Sequence, residues 1–468
     1  MLNYRNISIA ANPEKIIRRS GRSGSMPQEE PMEKNQINHE LLRFLDGSPN
    51  SFFAAANMAD ILEKHGYRRL TEGERWKLRA GDQCYVTRND SSLIAFRVPR
   101  ADYAGFQILA SHSDSPCFKL KPNPVLTAEN LYLRLDVEKY GGAILSTWFD
   151  RPLSLAGRVL LRTLDGVQRR LVRIDRDLLV IPNLAIHMDR SVNDGWKFNV
   201  QRDLLPLLGE KGDENGLSAL LAEEADCSPE DILDADLYVY NRMPGTILGL
   251  RGDFLCSGRL DDLQCAFASL QGFLAAQPRD SVAVHCVFDN EEVGSATKQG
   301  AASTFLRDTL WRINAALGRD EEDFRRSLTD SFLVSADNAH GVHPNHAEKA
   351  DPANRPRLNG GVVIKYNATQ KYATDAVSGA LFRCICRRAG VPVQTFANRS
   401  DIPGGSTLGS IAGTRVCVNT VDVGLAQLAM HSAWETAGAA DTVWFAEAAR
   451  ELFSVSVRCD GEGGCHID

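Results

Sequence analysis

The sequence predicts an α/β fold: a central, largely buried mixed sheet flanked by helices. Three observations predict it. Short β-branched apolar runs recur along the chain, stretches with helical spacing alternate with them, and polar turns bearing acids or histidines follow several of the runs. Between about 119 and 251 the texture changes to short strands split by Gly and Pro. That stretch predicts an inserted strand-rich domain of roughly 130 residues, an ordinary domain size.

In chain order, Leu41, Leu42 and Leu45, then Phe53, Ala56, Met58 and Ile61, keep helical spacing and predict two helices over 38–66 around Gly47-Ser48-Pro49. Strands are expected at 83–86, 93–98 and 106–110, the last running into Ser111-His112-Ser113-Asp114. Inside the inserted stretch, 131–135 and 157–161 read as strands, and 216–225 reads as a helix. A strand over 253–260 leads to Asp261-Asp262. The helix after it carries Leu263, Ala266, Phe267, Leu270, Phe273 and Leu274 on one face and ends by Pro278. Val282–Phe288 is a buried strand, followed by Asp289-Asn290-Glu291-Glu292. Further strands are expected at 332–336, 361–366 and 416–420.

The composition narrows the function class. Lys+Arg 53 against Asp+Glu 60 leaves a net charge of −7, which argues against nucleic acid or an anionic membrane surface as the main partner. A hydrophobic share of 43% with 24% charged is that of a globular chain, and no apolar run reaches the roughly 18 residues of a membrane span. The 11 cysteines are scattered without C-x-x-C pairs, which favours reduced thiols in a cytoplasm. The alternatives are disulfides or a metal site at Cys459 and Cys465-His466. Residues 1–37 read as a disordered extension, basic and Gly/Ser-rich in part, with start sites at Met26 or Met32 or a targeting segment as alternatives.

The chemistry concentrates at the strand ends. Two adjacent glutamates after a buried strand are costly unless a counter-charge, a metal or a proton meets them. Neighbouring side chains on an extended segment point opposite ways, so Glu291 and Glu292 would do two different jobs. A solvated turn is the competing reading. His112, with Asp114 two residues on as an orienting carboxylate, Asp261, Asp337 and His431 also fall at or beyond strand ends, where open α/β sheets hold their sites. Two histidines and three carboxylates suit two divalent ions with one carboxylate bridging. Taken singly, Asp261 or Asp262 could be an N-cap, His431 a satisfied helix histidine and Asp337 a turn residue.

Ser111-His112-Ser113-Asp114, Gly258-Arg259-Leu260-Asp261-Asp262, Asp289 to Ser295, Ser335-Ala336-Asp337-Asn338-Ala339-His340 and Leu428-Ala429-Met430-His431-Ser432 resemble, in order, the motifs of the aspartyl aminopeptidases. These are di-zinc exopeptidases, and the resemblance runs from about Asn38 to Val457. It implies a zinc-exopeptidase catalytic domain over 38–118 and 252–468, with 119–251 as an inserted dimerisation domain. It implies metal ligands at His112, Asp261, Glu292, Asp337 and His431, with Asp261 bridging two divalent ions, Zn2+ first and Mn2+ or Co2+ next. By the same resemblance Glu291 is the general base, and Asp114 belongs to the catalytic set. His187 would reach a neighbouring subunit's site; a core or surface histidine is the alternative. Lys365, His340, Gly405 and Ser406 would contact substrate, Lys365 near its acidic side chain; a lysine snorkelling to solvent is the alternative.

The expectation is therefore a cytoplasmic metal-dependent aminopeptidase removing N-terminal Asp or Glu from peptides, assembled from dimers into a tetrahedral dodecamer. Its rivals are a catalytically idle scaffold or cargo protein of the same fold and an aminopeptidase with neutral specificity. A G-x-S-x-G elbow and an H-E-x-x-H helix are both absent from the sequence.

Overall fold

A computed structural model describes residues 34–468. The start sites at Met26 and Met32, and the expected extension up to residue 33, lie outside the described residues. Regular structure begins earlier than Asn38, with a helix at Lys34–Gly47, and the second expected helix is Ser51–Lys64. Asn50 caps the latter by accepting the Phe53 amide at 3.3 Å.

Nine strands form the central sheet, in the spatial order 68–70, 83–88, 92–97, 282–288, 106–112, 332–336, 419–424, 362–366, 393–397. The strands at 282–288, 106–112, 332–336 and 419–424 run parallel, with antiparallel neighbours on both sides, so the sheet is mixed. Every residue of Val282–Phe288 is buried. Val282, Val284, Cys286 and Phe288 enter a core with the helices Phe305–Ala316 and Leu408–Val416, while Ala283 and Val287 enter another with Leu260–Ala275 and Asp441–Ser454. A strand covered on both faces must be apolar at both parities, which is why this run does not alternate. Helices Leu260–Ala275 and Asp441–Ser454 meet at Gly272, where a Cβ would stand 2.5 Å from the Ala446 carbonyl and 2.6 Å from the Ala449 Cβ. The fully buried Phe273, Phe445 and Phe453 fill the same layer, each contributing about 1.5–3 kcal/mol of burial.

Residues 117–241 supply a second, six-stranded antiparallel sheet in the order 166–173, 153–163, 232–241, 117–128, 132–140, 207–210. Phe118, Leu135, Trp148, Leu155 and Val239 form its own core. A five-stranded sheet, in the order 246–248, 254–257, 435–438, 426–428, 339–340, lies along the chain segments that carry the site.

Three local expectations are corrected. The strand expected over 253–260 stops at Ser257, and the helix already begins at Leu260. The strand expected over 416–420 is displaced: Leu408–Val416 is a helix closed by Cys417 in the left-handed region (φ 56°), and the strand is Asn419–Gly424. Val-Cys-Val serves equally as a buried helix end and as a strand start. Finally, Cys459 and Cys465 are disulfide-bonded across the hairpin of strands Val457–Cys459 and Cys465–Ile467, where antiparallel pairing places them opposite each other; the other nine cysteines are free.

Candidate metal centre

The strand Phe106–His112 is the middle of the site. Val282–Phe288 runs parallel to it on one side, with Phe288 opposite His112, and Phe332–Ala336 runs parallel on the other. All three therefore deliver their following loops to the same edge, which brings His112, Glu291-Glu292 and Asp337 together from positions far apart in the chain. Asp261 arrives from the start of the helix Leu260–Ala275, where its non-helical φ −81°, ψ 107° turns it out of the helical path. His431 comes from beyond the short strand Ala426–Leu428, held with φ +69°, and is not on a helix.

Glu291 and Glu292 do not lie on an extended segment. They open a single 3₁₀ turn, Glu291–Val293, after Asn290 in the left-handed region, so strand alternation is not what separates them. Both line a cleft of about 270 Å³ together with His112, Asp261, Asp337 and His431.

Two groups of side chains that could each hold a metal ion share one carboxylate. His112, Asp261, Asp262 and Asp337 form one group, and Asp261, Glu292 and His431 form the other. His112 Nε2 stands 3.4 Å from Asp261 Oδ1, and His431 Nε2 stands 3.4 Å from both Asp261 Oδ2 and Glu292 Oε2. Each imidazole is oriented through its other nitrogen: His112 Nδ1 meets the Asp114 carbonyl at 3.1 Å, and His431 Nδ1 meets the Gly142 carbonyl at 3.1 Å. A carbonyl can only accept, so Nδ1 carries the proton and Nε2 offers its lone pair to the centre. For His112 the orienting group is thus the backbone of Asp114, whose carboxylate oxygen is farther away at 3.5 Å. That carboxylate instead accepts the Glu291 and Glu292 amides, both at 3.1 Å.

The electrostatics are those of buried acids crowded on one another. Burial pushes Glu291 up to about 8, with Asp337 and Asp114 adding to the shift against His112. Burial and Asp261 raise Glu292 well above the carboxylate range. Asp261 alone among the ligands is held low, because His112 and His431 outweigh its burial. Asp261 Oδ1 and Glu292 Oε1 are buried without a hydrogen-bond partner. Imidazole nitrogens converging with carboxylate oxygens, some of them unpaired, fit a borderline divalent cation.

Of the expected substrate contacts, Lys365, His340, Gly405 and Ser406 line the cleft. Lys365 does not snorkel: it is 2% exposed, with Nζ donating to the Asn338 carbonyl at 2.9 Å and 3.5 Å from Asp337 Oδ1. His187 is exposed and does not line the cleft of its own chain.

Sequence reasoning missed two buried carboxylates. Asp262 Oδ2 accepts the His112 amide at 3.1 Å. Glu435 accepts the Asp261 amide at 3.1 Å and the His431 amide at 2.7 Å, pinning both ligand backbones. Asp262 is adjacent to a predicted ligand and could have been singled out; Glu435, the first residue of a short strand, carries no local signal.

Residues 44–453 match the family model described as aminopeptidase I zinc metalloprotease, M18. A probable M18 family aminopeptidase 2 from Clostridium acetobutylicum is 45% identical over 432 residues, covering 90% of this chain and 100% of that one. One from Pseudomonas aeruginosa is 44% identical over 414 residues, covering 87% and 95%. Among solved structures, the Ape4 and Nbr1 complex superposes with a TM-score of 0.87 at 38% identity, covering 90% of this chain and 86% of that one. The S. cerevisiae mApe1 dodecamer gives 0.78 at 26%, covering 89% and 98%. With ligand-type side chains converging in one cleft and the family matched over nearly its whole length, the chain belongs to the M18 zinc metalloproteases and is a metal-dependent aminopeptidase.

Proposed function

We propose that the chain removes N-terminal residues, preferably Asp or Glu, from peptides at a centre of two divalent ions, with Glu291 as general base. The observation that carries this reading is Asp261, whose two oxygens face His112 on one side and His431 on the other. His112, Asp261 and Asp337 would hold one ion, and Asp261, Glu292 and His431 the other. The family description favours zinc, and manganese or cobalt would suit the same donors. When bound, such ions polarise the scissile carbonyl and lower the pKa of an adjacent water.

Glu291 lines the cleft yet stands in neither ligand group, which leaves its carboxylate for proton transfer. It takes a proton from the attacking water and hands it to the departing amine. Asp114, holding the Glu291 and Glu292 amides, fixes the base relative to the ligand beside it. Lys365 Nζ donates to the Asn338 carbonyl and stands 3.5 Å from Asp337 Oδ1, and its remaining N–H groups would serve an acidic side chain at the cleft. His340, Gly405 and Ser406 complete the substrate wall.

Residues 119–251 are read as an inserted domain that mediates self-association through dimers to a tetrahedral dodecamer, with His187 entering a neighbour's site. The exposed Leu184, Ile186 and Met188 around His187, and the likeness to the mApe1 dodecamer, support this. A cytoplasmic setting is supported by the nine free thiols, with the Cys459–Cys465 bond as a counter-indication. No described helix is long and apolar enough to cross a membrane.

Glu291→Gln tests the reading. It should lower kcat by about 10²–10⁴-fold, the usual worth of a general base, while metal content stays at the wild-type level. Near-normal turnover of an N-terminal Asp anilide by this variant would remove Glu291 from the role.

A further inference from the structure

One segment of the six-stranded sheet reaches into the metal centre at several points. The strand Tyr132–Tyr140 ends there, and the chain continues as Gly141-Gly142 toward Ile144. The Tyr140 hydroxyl donates to Asp114 Oδ2 at 2.7 Å and accepts from Asn290 Nδ2 at 2.9 Å. Asp114 in turn holds the Glu291 and Glu292 amides, so a single hydroxyl braces the turn that carries both glutamates. Burial, reinforced by the Asp114 charge, raises the Tyr140 pKa and keeps the hydroxyl a donor.

The next residues contact the other side of the centre. Gly141 has φ +73°, and a Cβ there would stand 3.1 Å from the Glu292 Cβ. Gly142 supplies the carbonyl that orients His431 at 3.1 Å, and the Ile144 amide donates to the His431 carbonyl at 2.9 Å. Further on, Thr147 Oγ1 accepts the Ala433 amide at 2.9 Å, tying the same loop two residues later. Tyr140 does not line the cleft, so it acts through other groups.

We infer that residues 140–144 are a strap by which the six-stranded sheet sets the metal centre: Tyr140 positions Glu291 through Asp114, and Gly141-Gly142 position Glu292 and His431. This rests on the reading of Glu291 as base and of Glu292 and His431 as ligands. The physical logic is that a base and a ligand held on a short turn keep their geometry only if the turn is braced from outside, and the brace comes from a rigid sheet.

The test uses the full chain loaded with zinc. Tyr140→Phe removes only the hydroxyl, because the ring keeps its edge contact with Tyr238 at 5.8 Å. It should lower kcat by about 10- to 100-fold, as loss of an orienting partner does, with KM, melting temperature and zinc per chain unchanged. Gly141→Ala should lower zinc affinity by about 10- to 100-fold in competition with a chelating dye, a readout that needs no turnover. A Tyr140→Phe protein with wild-type kcat, with its loss confined to KM, or with zinc lost in proportion to activity overturns the Tyr140 role. Gly141→Ala binding zinc as tightly as the unaltered chain overturns the other half. Glu291→Gln measured alongside separates the two levels: if it stays active the reading of the site fails, and if it is inactive while Tyr140→Phe is normal only the strap fails.

Discussion

His431 Nε2 stands 3.4 Å from Asp261 Oδ2, on the carboxylate oxygen opposite the one that faces His112. Asp261 therefore belongs to both ligand groups, whereas Glu292 belongs to one. On the proposed two-ion reading, Asp261→Asn is expected to lose both ions, and Glu292→Gln only the ion that His431 would hold. Elemental analysis of the purified variants distinguishes these outcomes, and equal metal loss in both would refute the sharing. Activity should fall by at least about 10-fold in each.

Removing metal should expose the crowding of acids as a pH-dependent instability. Burial pushes Glu291 and Glu435 up to about 8, and Asp261 with Glu292, outweighing burial, pushes His431 up to about 10. In the unfolded chain glutamates titrate near about 4.3 and histidine near about 6.5. All three groups have raised folded values, so their contribution is complete below the unfolded pKa and is lost as pH rises through the folded one. Between about pH 6 and 9 these three groups bind more protons in the folded, metal-free chain than in the unfolded one, so the stability they contribute falls with rising pH. Thermal denaturation of chelator-treated protein across that range should show a declining Tm, with added zinc restoring most at the alkaline end. A Tm that climbs with pH would contradict the arrangement.

These carboxylates also show what a sequence discloses and what it hides. His112, Asp337 and the Glu291-Glu292 pair were legible because each ends or follows a buried apolar strand, and parallel neighbours in one sheet end at one edge. Glu435 and Tyr140 were not. Glu435 meets the Asp261 amide across 174 residues, and Tyr140 meets Asp114 from a strand of a different sheet. Orienting contacts of this kind depend on tertiary placement, which leaves no periodicity or spacing behind. The strand over 419–424 was misplaced for another reason: the apolar signal of Val416–Val418 is shared between a helix end and a strand start, and a left-handed Cys417 decides between them.

Lys365 should separate acidic from neutral substrates. It is buried against Asp337, and its charge is fixed there at any working pH, since the Asp337 charge outlasts the cost of burial and raises its pKa. Lys365→Met removes a charged donor worth about 1.5–3 kcal/mol to a substrate carboxylate, or roughly 10- to 150-fold in kcat/KM for N-terminal Asp. Neutral substrates such as N-terminal Ala should lose much less. Equal losses on both would assign Lys365 to structure alone.

His187 poses the sharpest question about assembly, because it is exposed and absent from its own chain's cleft, beside Leu184, Ile186 and Met188 at 45%, 46% and 75% exposure. If it serves a neighbour, a two-fold interface gives each site its Glu291 from one subunit and its His187 from the other. His187→Ala and Glu291→Gln should then each be impaired alone but complement when co-assembled. In a mixed dimer, one site combines the intact Glu291 of the His187→Ala chain with the intact His187 of the Glu291→Gln chain, and the second site lacks both. Random pairing at equal amounts should restore activity to about a quarter of the wild-type sites. Met188→Asp, which places a charge in the apolar loop, should shift the mass measured by light scattering toward smaller species and lower activity in step. Activity in the mixture equal to the average of its parents would confine His187 to its own chain's surface.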